Sequence, residues 1–414
     1  MKKNEKKSAC GTAAGLAALA ACLVLAAAAG AQASQKIVTF KQSSKGSIEK
    51  NVESLGGKVT RKFALINSVV AVFPDGIKDS SIYSLRGVTD VAEDKYLRWI
   101  EAAPASMSAA PLPSVESALR MIRTGEGWTA PAFAEIRPEI DPAEKEVPWG
   151  VKRVNASAAW DYGSGAGVKV AVVDTGIDFH HPDLAPNYKG GYNAVAPAEQ
   201  PLDDQGHGTH VSGTIAAVKD LKGVVGVAPK VDLYGVKVLD KNGSGQYSWI
   251  VAGIEWAILN KMDVINMSLG GGSGTEAMKQ VMIKARQAGV TVVCAAGNDS
   301  GPVNYPAKYP EAIAVSASDS ADKIASFSSR GAELALIAPG VNVYSTKKGG
   351  GYTSMSGTSM ACPHAAGLAA LAVGAGAKGP EAVRAALRAA AEPLPGLGPN
   401  EQGAGLVDAF KLVR

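Results

Sequence analysis

From Pro148 to the C-terminus the chain alternates short, nearly continuous apolar runs with stretches of helical spacing. The runs are Val168–Val173, Val231–Val238, Val264–Met267, Val290–Ala295 and Ala312–Val315; Ser248–Asn260 and Thr275–Ala288 are helical stretches between them. A run without polar alternation is apolar on both faces, and strands of that kind belong to parallel sheets covered by helices on either side. The pattern predicts an α/β fold with a mostly parallel, doubly wound sheet. It also says where chemistry belongs, because such sheets gather their functional groups beyond the carboxyl ends of the strands.

The chain before Pro148 is organised differently. Residues 1–33 start with Lys2, Lys3, Lys6 and Lys7 against Glu5, continue as an Ala/Leu-rich run from Ala9 to Gly30, and end at Ala31-Gln32-Ala33. A basic start, an apolar middle and small residues at the cut describe a secretory signal peptide, so the protein is expected outside the cell. Leu19-Ala20-Ala21-Cys22 also resembles a bacterial lipid-attachment box, which would tether the protein at the cell surface. Residues 34–100 read as β-α-β-β-α-β, a small ferredoxin-like α+β unit: strands at 36–41, 58–63, 67–73 and 88–93, helices at 44–56 and 77–85. Residues 101–143 hold six prolines among Ala, Ser and Glu, the composition of a linker, and residues 144–414 form the large unit.

Charge now excludes a class of partner. The formal net charge is +4, and the signal supplies three of those charges. Residues 144–414 carry equal numbers of basic and acidic side chains, so a nucleic-acid partner is not expected. Two of the four cysteines lie in the signal. Cys294 and Cys362 remain, as one disulfide or as two buried thiols.

Three segments carry candidate chemistry. Val172-Val173-Asp174-Thr175-Gly176 ends a strand on a carboxylate. Gly206-His207-Gly208-Thr209-His210 puts a histidine on a glycine-flanked turn. Ser356-Gly357-Thr358-Ser359-Met360-Ala361 puts a serine just ahead of an Ala/Gly-rich helix. Singly, each reads as a turn former, a structural histidine and a helix cap. Together they supply a hydroxyl nucleophile, a base near neutral pH to take its proton, and a carboxylate to orient that base. The spacing of His207 and His210 lacks the glutamate of a zinc-protease helix, and His180, His181 and His364 read as structural.

These segments, in the order Asp174, His207, Ser359, resemble the subtilisin family of serine proteases, and the likeness runs from about Val147 to the C-terminus. The resemblance implies a secreted endopeptidase that works through an acyl-enzyme on protein or peptide substrates, a monomer being expected. Residues 36–96 resemble the family's propeptide, an intramolecular chaperone and inhibitor whose tail, here about Asp94–Ile100, lies in the cleft before Ser359 cuts the chain. Asn298, in Ala295-Ala296-Gly297-Asn298, would donate to the oxyanion beside the Ser359 N–H. Gly243-Ser244-Gly245 and Ser268-Leu269-Gly270 would sandwich an extended peptide by edge addition. Ala296 and Gly297 would line the pocket next to the scissile bond, with Asn304 near its floor where the family commonly has glycine. The resemblance also implies structural Ca²⁺, held by the Asp183 and Asp220 carboxylates and the carbonyls of Val218, Lys222 and Val224. Lys145 stands where the family has an amide ligand. Met360 beside the nucleophile makes the site sensitive to oxidation. Two other readings keep the fold: a membrane-tethered maturation protease lipidated at Cys22, and a catalytically inactive binding protein.

Overall fold

The computed structural model describes residues 34–100 and 145–414. The expected signal peptide, the linker, Cys10, Cys22 and Glu144 lie outside the described residues.

The N-terminal unit is built on strands β1 (Ser34–Phe40), β2 (Lys58–Lys62), β3 (Ser68–Phe73) and β4 (Val88–Glu93), paired in the order β2-β3-β1-β4. Every pairing is antiparallel. Helices Ile48–Glu53 and Asp79–Tyr83 are shorter than the apolar spacing suggested, since only Ile48 and Val52 of one and Ile82 of the other are buried. These side chains close a core with Val38, Phe40, Val69, Ala71, Phe73 and Val91. The β-α-β-β-α-β order agrees with the sequence reading. After β4 the chain continues into β5 (Tyr96–Arg98).

The large unit begins with β6 (Lys145–Glu146) and carries β7 (Lys169–Asp174), β8 (Tyr188–Asn193), β9 (Gly223–Val224), β10 (Asp232–Lys237), β11 (Ser244–Gln246), β12 (Val264–Met267), β13 (Thr291–Ala295), β14 (Ala312–Ser318), β15 (Leu334–Pro339), β16 (Val343–Thr346), β17 (Tyr352–Met355), β18 (Ala391–Glu392) and β19 (Leu406–Val407). Nine strands form one sheet in the order β18-β19-β15-β14-β13-β12-β7-β10-β8. All neighbours run parallel except β18, which pairs antiparallel with β19 at the edge. This is the mostly parallel α/β architecture read from the apolar runs.

Strand β7 shows why its residues make a central strand. Val170 and Val172 join the core on one face, and Ala171 and Val173 the core on the other. Alternate side chains of a strand point to opposite faces, so four consecutive apolar residues fill two interiors at once. Helices His207–Ala216 and Thr358–Gly374 cover the first face, and helices Tyr247–Leu259 and Glu276–Gln287 the second. The sheet edge at β8 depends on glycine. A Cβ on Gly191 would lie 1.8 Å from the carbonyl oxygen of Gly235 on β10.

The same two-faced arrangement separates the cysteines. Cys294 belongs to the second core, whereas Cys362 lies on the helix packed against the first, its thiol 3.4 Å from the Val293 carbonyl. Both are free and buried. Burial pushes both thiols up, Cys362 to about 12, so neither is a ready thiolate. Protein lacking residues 1–33 should therefore release two thiols to a thiol-specific chromophore after unfolding, and neither within minutes in the native state.

Candidate active site

The strand order turns about β7. The chain leaves it for β8 and β10 on one side, then crosses to β12 and onward on the other. A crevice opens at the carboxyl end of such a strand, and Asp174 is the last residue of β7. Asp174 is fully buried. A carboxylate out of water must find donors. Here the Thr175 N–H donates to Oδ1 at 2.7 Å, and His207 Nδ1 lies 2.8 Å from Oδ1 and 3.0 Å from Oδ2.

His207 is the first residue of its helix and follows Gly206, whose φ of 119° suits glycine and strains any residue with a Cβ. Buried Asp203 braces this helix start. Its carboxylate accepts the N–H groups of Gln205, Gly206 and Thr209 and the hydroxyls of Thr175 and Thr209. The Thr175 hydroxyl in turn accepts the Gly208 N–H at 2.9 Å. The turn after Asp174 and the turn before His207 are thus one hydrogen-bonded body. Burial works against a charged His207, but the Asp174 charge and hydrogen bond, with Asp203 beyond, outweigh it and leave the imidazole pKa above its ordinary value. His207 Nε2 is buried and has no hydrogen-bond partner among the described residues.

Ser359 is the second residue of helix Thr358–Gly374, not a residue ahead of it as the sequence suggested. Its N–H is therefore one of the first four in the helix, which no carbonyl of a preceding turn satisfies. The Ser359 hydroxyl donates to the Ser268 carbonyl at 3.1 Å, and the Ser268 hydroxyl returns a 2.8 Å bond to the Ser359 carbonyl. The structure thus shows the serine turned toward Ser268. Asn298 lies beside the same helix start: its Oδ1 accepts from the Thr358 N–H at 2.8 Å and the Thr358 hydroxyl at 2.9 Å. Those two bonds turn its Nδ2 away from Thr358. Gly297 before it has φ 119°, and a Cβ there would meet Asn304 Nδ2 at 2.5 Å. A Cβ on Gly270 would lie 3.4 Å from the Asn304 Cβ. Asn304 therefore packs against Gly297 and Gly270, between the two segments expected to line the pocket beside Ala296.

The other expected segments hold a strand of the chain itself. β5 pairs antiparallel with β11, Leu97 opposite Gly245 and Arg98 opposite Ser244. The Trp99 N–H donates to the Gly243 carbonyl at 3.0 Å, and the Trp99 carbonyl accepts from the Gly270 N–H at 3.0 Å. Residues 96–100 thus touch both Gly243–Gly245 and the Ser268–Gly270 segment. The Trp99 indole is 2% exposed, donates to the Gly245 carbonyl at 2.9 Å and meets Tyr247 edge-on. The N-terminal unit is further anchored by Asp94, which accepts the Ser248 N–H at 2.9 Å at the start of helix Tyr247–Leu259, and by Glu255, which accepts the Leu65 N–H at 2.7 Å. Sequence reasoning missed these anchors and the role of Trp99.

Of the expected calcium residues, Val218 and Val224 bond to Asp183. Asp183 is 2% exposed and its Oδ2 accepts the Val224 N–H at 2.8 Å; the Val218 N–H bonds the Asp183 carbonyl at 3.0 Å. Burial, with the Asp183 and Asp220 charges, raises the Tyr352 phenol above its ordinary value. Among the described residues no group of three or more His, Cys, Asp or Glu side chains could hold a metal. The candidate set of two carboxylates and three carbonyls is all oxygen, the donor type that suits Ca²⁺. His181, His210 and His364 bond main-chain carbonyls, and burial lowers His210 to about 3 and His364 to about 4. His210 and His364 therefore stay neutral, as structural groups.

A profile of the subtilase family matches residues 165–405. Subtilisin E of Bacillus subtilis (strain 168) is 43% identical over 359 residues, 84% of this chain and 82% of its own length. Subtilisin of Bacillus pumilus is 55% identical over 234 residues, 55% of this chain and 84% of its own. An alkaline protease of Shouchella clausii is 48% identical over 263 residues, 63% of this chain and 68% of its own. The chain belongs to the subtilase family. Its reaction is that of a subtilisin-type serine endopeptidase, a hydrolase of protein or peptide bonds.

The balance at His207 can be measured directly. In an NMR titration its imidazole should lose its proton at a pH above the ordinary histidine value of about 6.5. Asp174→Asn removes the main opposing charge, and the midpoint should then fall, because burial is left to dominate.

Proposed function

We propose that the protein is a secreted serine endopeptidase made as a self-processing zymogen, with Asp174, His207 and Ser359 as its catalytic triad. The observation that carries the proposal is the antiparallel addition of Tyr96–Arg98 to Ser244–Gln246, with Trp99 bonded to both sides of the cleft. A peptide held as an added strand has its main chain in register and its side chains directed alternately to pockets. The tail of residues 34–100 is then a bound product, and those residues act as folding aid and inhibitor.

In this reading the Ser359 hydroxyl rotates from Ser268 toward the unpartnered Nε2 of His207. Oγ attacks the scissile carbonyl carbon, and His207 takes the hydroxyl proton. Asp174 holds the imidazole tautomer and stabilises the imidazolium. The carbonyl oxygen, now negative, receives hydrogen bonds from Asn298 Nδ2 and the Ser359 N–H. The C–N bond breaks, the leaving amine takes the proton from His207, and an acyl-enzyme remains. Water, deprotonated by His207, then releases the acid and restores Ser359. Gly243–Gly245 and Ser268–Gly270 hold the substrate strand, and Ala296, Gly297 and Asn304 border the pocket next to the cut.

Residues 1–33 serve as the export signal, a role supported by their charged start and apolar run. Asp183, Val218, Asp220, Lys222 and Val224 hold a structural calcium ion, supported by their oxygen-only donor set. Bound only in the native state, the ion stabilises the fold by mass action.

Ser359→Ala should accumulate the exported chain uncut between residues 34–100 and the large unit, on gels where the natural protein shows two fragments; normal processing would refute the triad. Asn298→Leu should lower kcat on casein-derived peptides by about 10²- to 10³-fold with KM little changed. Removing calcium with EDTA should lower Tm by several degrees, restored by Ca²⁺ and diminished in Asp183→Asn; an unchanged Tm would exclude the ion.

A further inference from the structure

One side chain outside the triad ties the parts of the site together. Lys237 ends β10, opposite Asp174 in register on β7, and is 4% exposed. A buried ammonium needs acceptors for all three of its N–H bonds. Lys237 Nζ has three: the Thr175 carbonyl at 2.7 Å, the Leu239 carbonyl at 2.8 Å and Asp204 Oδ1 at 2.6 Å. Each acceptor belongs to a different working segment. Thr175 follows Asp174, and its own N–H holds the Asp174 carboxylate. Asp204 precedes His207 by three residues, next to the Asp203 that braces the helix start. Leu239 leads into the turn at Asp240, whose carboxylate accepts the Asn242 and Ser244 N–H groups just ahead of Gly245.

We propose that Lys237 is a positioning residue that sets the Asp174 turn, the His207 loop and the substrate strand Gly243–Gly245 relative to one another. The inference rests on the proposed triad and adds a residue that touches neither substrate nor reacting atoms. The geometry of the ammonium explains why it can do this. Its three N–H bonds diverge tetrahedrally from one atom, so three segments cannot shift independently without losing a bond to a buried donor. Two of the acceptors are main-chain carbonyls, so the backbone itself is fixed. A displacement of about 1 Å in a reacting group can cost on the order of 10² in rate. Asp204 is half exposed, and water can partly replace it. The two carbonyl bonds are buried and have no such substitute.

The test separates the dyad from the substrate strand by using two substrates. A single-residue acyl ester reaches the triad without the strand, whereas a tetrapeptide amide lies along Gly243–Gly245. Lys237→Met keeps the side-chain length and removes the ammonium. With rates divided by the concentration of sites titrated by a serine-directed phosphonate, kcat should fall about tenfold or more on both substrates. KM should rise severalfold for the tetrapeptide alone. Asp204→Ala keeps the Leu239 bond, so it should lower kcat less and leave the tetrapeptide KM unchanged. Lys237→Gln, a second variant in case Met does not fold, should show the same split in smaller measure. A merely structural lysine would lower Tm and titratable sites but leave kcat per site and both KM values within twofold of the parent; that result overturns the inference. If the unmodified protein is neither labelled by the phosphonate nor active on either substrate, the triad itself fails, which is a distinguishable outcome.

Discussion

The site depends on one costly constraint, a carboxylate buried at the end of the central strand. Asp174 is shielded from bulk solvent, so the surrounding chain must supply hydrogen bonds to it. The Thr175 N–H and the His207 imidazole do so directly. The Asp203 network and the Lys237 ammonium fix the segments that carry those donors. The same carboxylate outweighs burial at His207 and keeps that imidazole more basic than its surroundings alone would allow. Stability and chemistry are here one electrostatic arrangement. A polar group that the fold must satisfy is also the group that holds the His207 ring.

Much of this was legible in the sequence, for reasons that differ by element. The parallel sheet was readable because residues such as Val170–Val173 are apolar on both faces, and a two-sided interior is what such a run demands. The order of Asp174, His207 and Ser359 was readable because each sits among small residues at the end of an element. β8 was not. Tyr-Lys-Gly-Gly-Tyr-Asn has neither alternation nor an apolar run, and its Gly191 is there for the close approach to Gly235. The helix that carries Ser359 starts earlier than its apolar residues suggest. Each residue of Ser356-Gly357-Thr358-Ser359 is a good helix cap, so composition does not choose among them; in the structure Gly357 is the cap and Thr358 opens the helix. Lys237 left a signal that went unread, a lysine inside the apolar run Val231–Val238. In a buried strand such a residue must find oxygen atoms, and their owners are then functional candidates.

The contact between the two units follows from simple valence. Helix Tyr247–Leu259 opens with N–H groups that its own turns cannot satisfy, and Asp94 reaches the one at Ser248. Conversely, Glu255 within that helix accepts a main-chain N–H of the small unit at Leu65. Each partner thus completes hydrogen bonding that the other leaves open. Just after Asp94, β5 pairs with the cleft's own edge, which would otherwise offer its main-chain groups to any passing strand.

The pairing of β6 with β9 has a consequence for the chain as a whole. Lys145–Glu146 lies beside Gly223–Val224 while Trp99 and Ile100 still bond Gly243. The 44 residues between those points could reach at most about 150 Å when fully extended. Their pairings hold the two flanks of that span at separate docking places within one chain. A cut anywhere in that span releases a tether and asks neither flank to migrate. In the processing proposed above, the large unit's first strand is already paired before the cut is made.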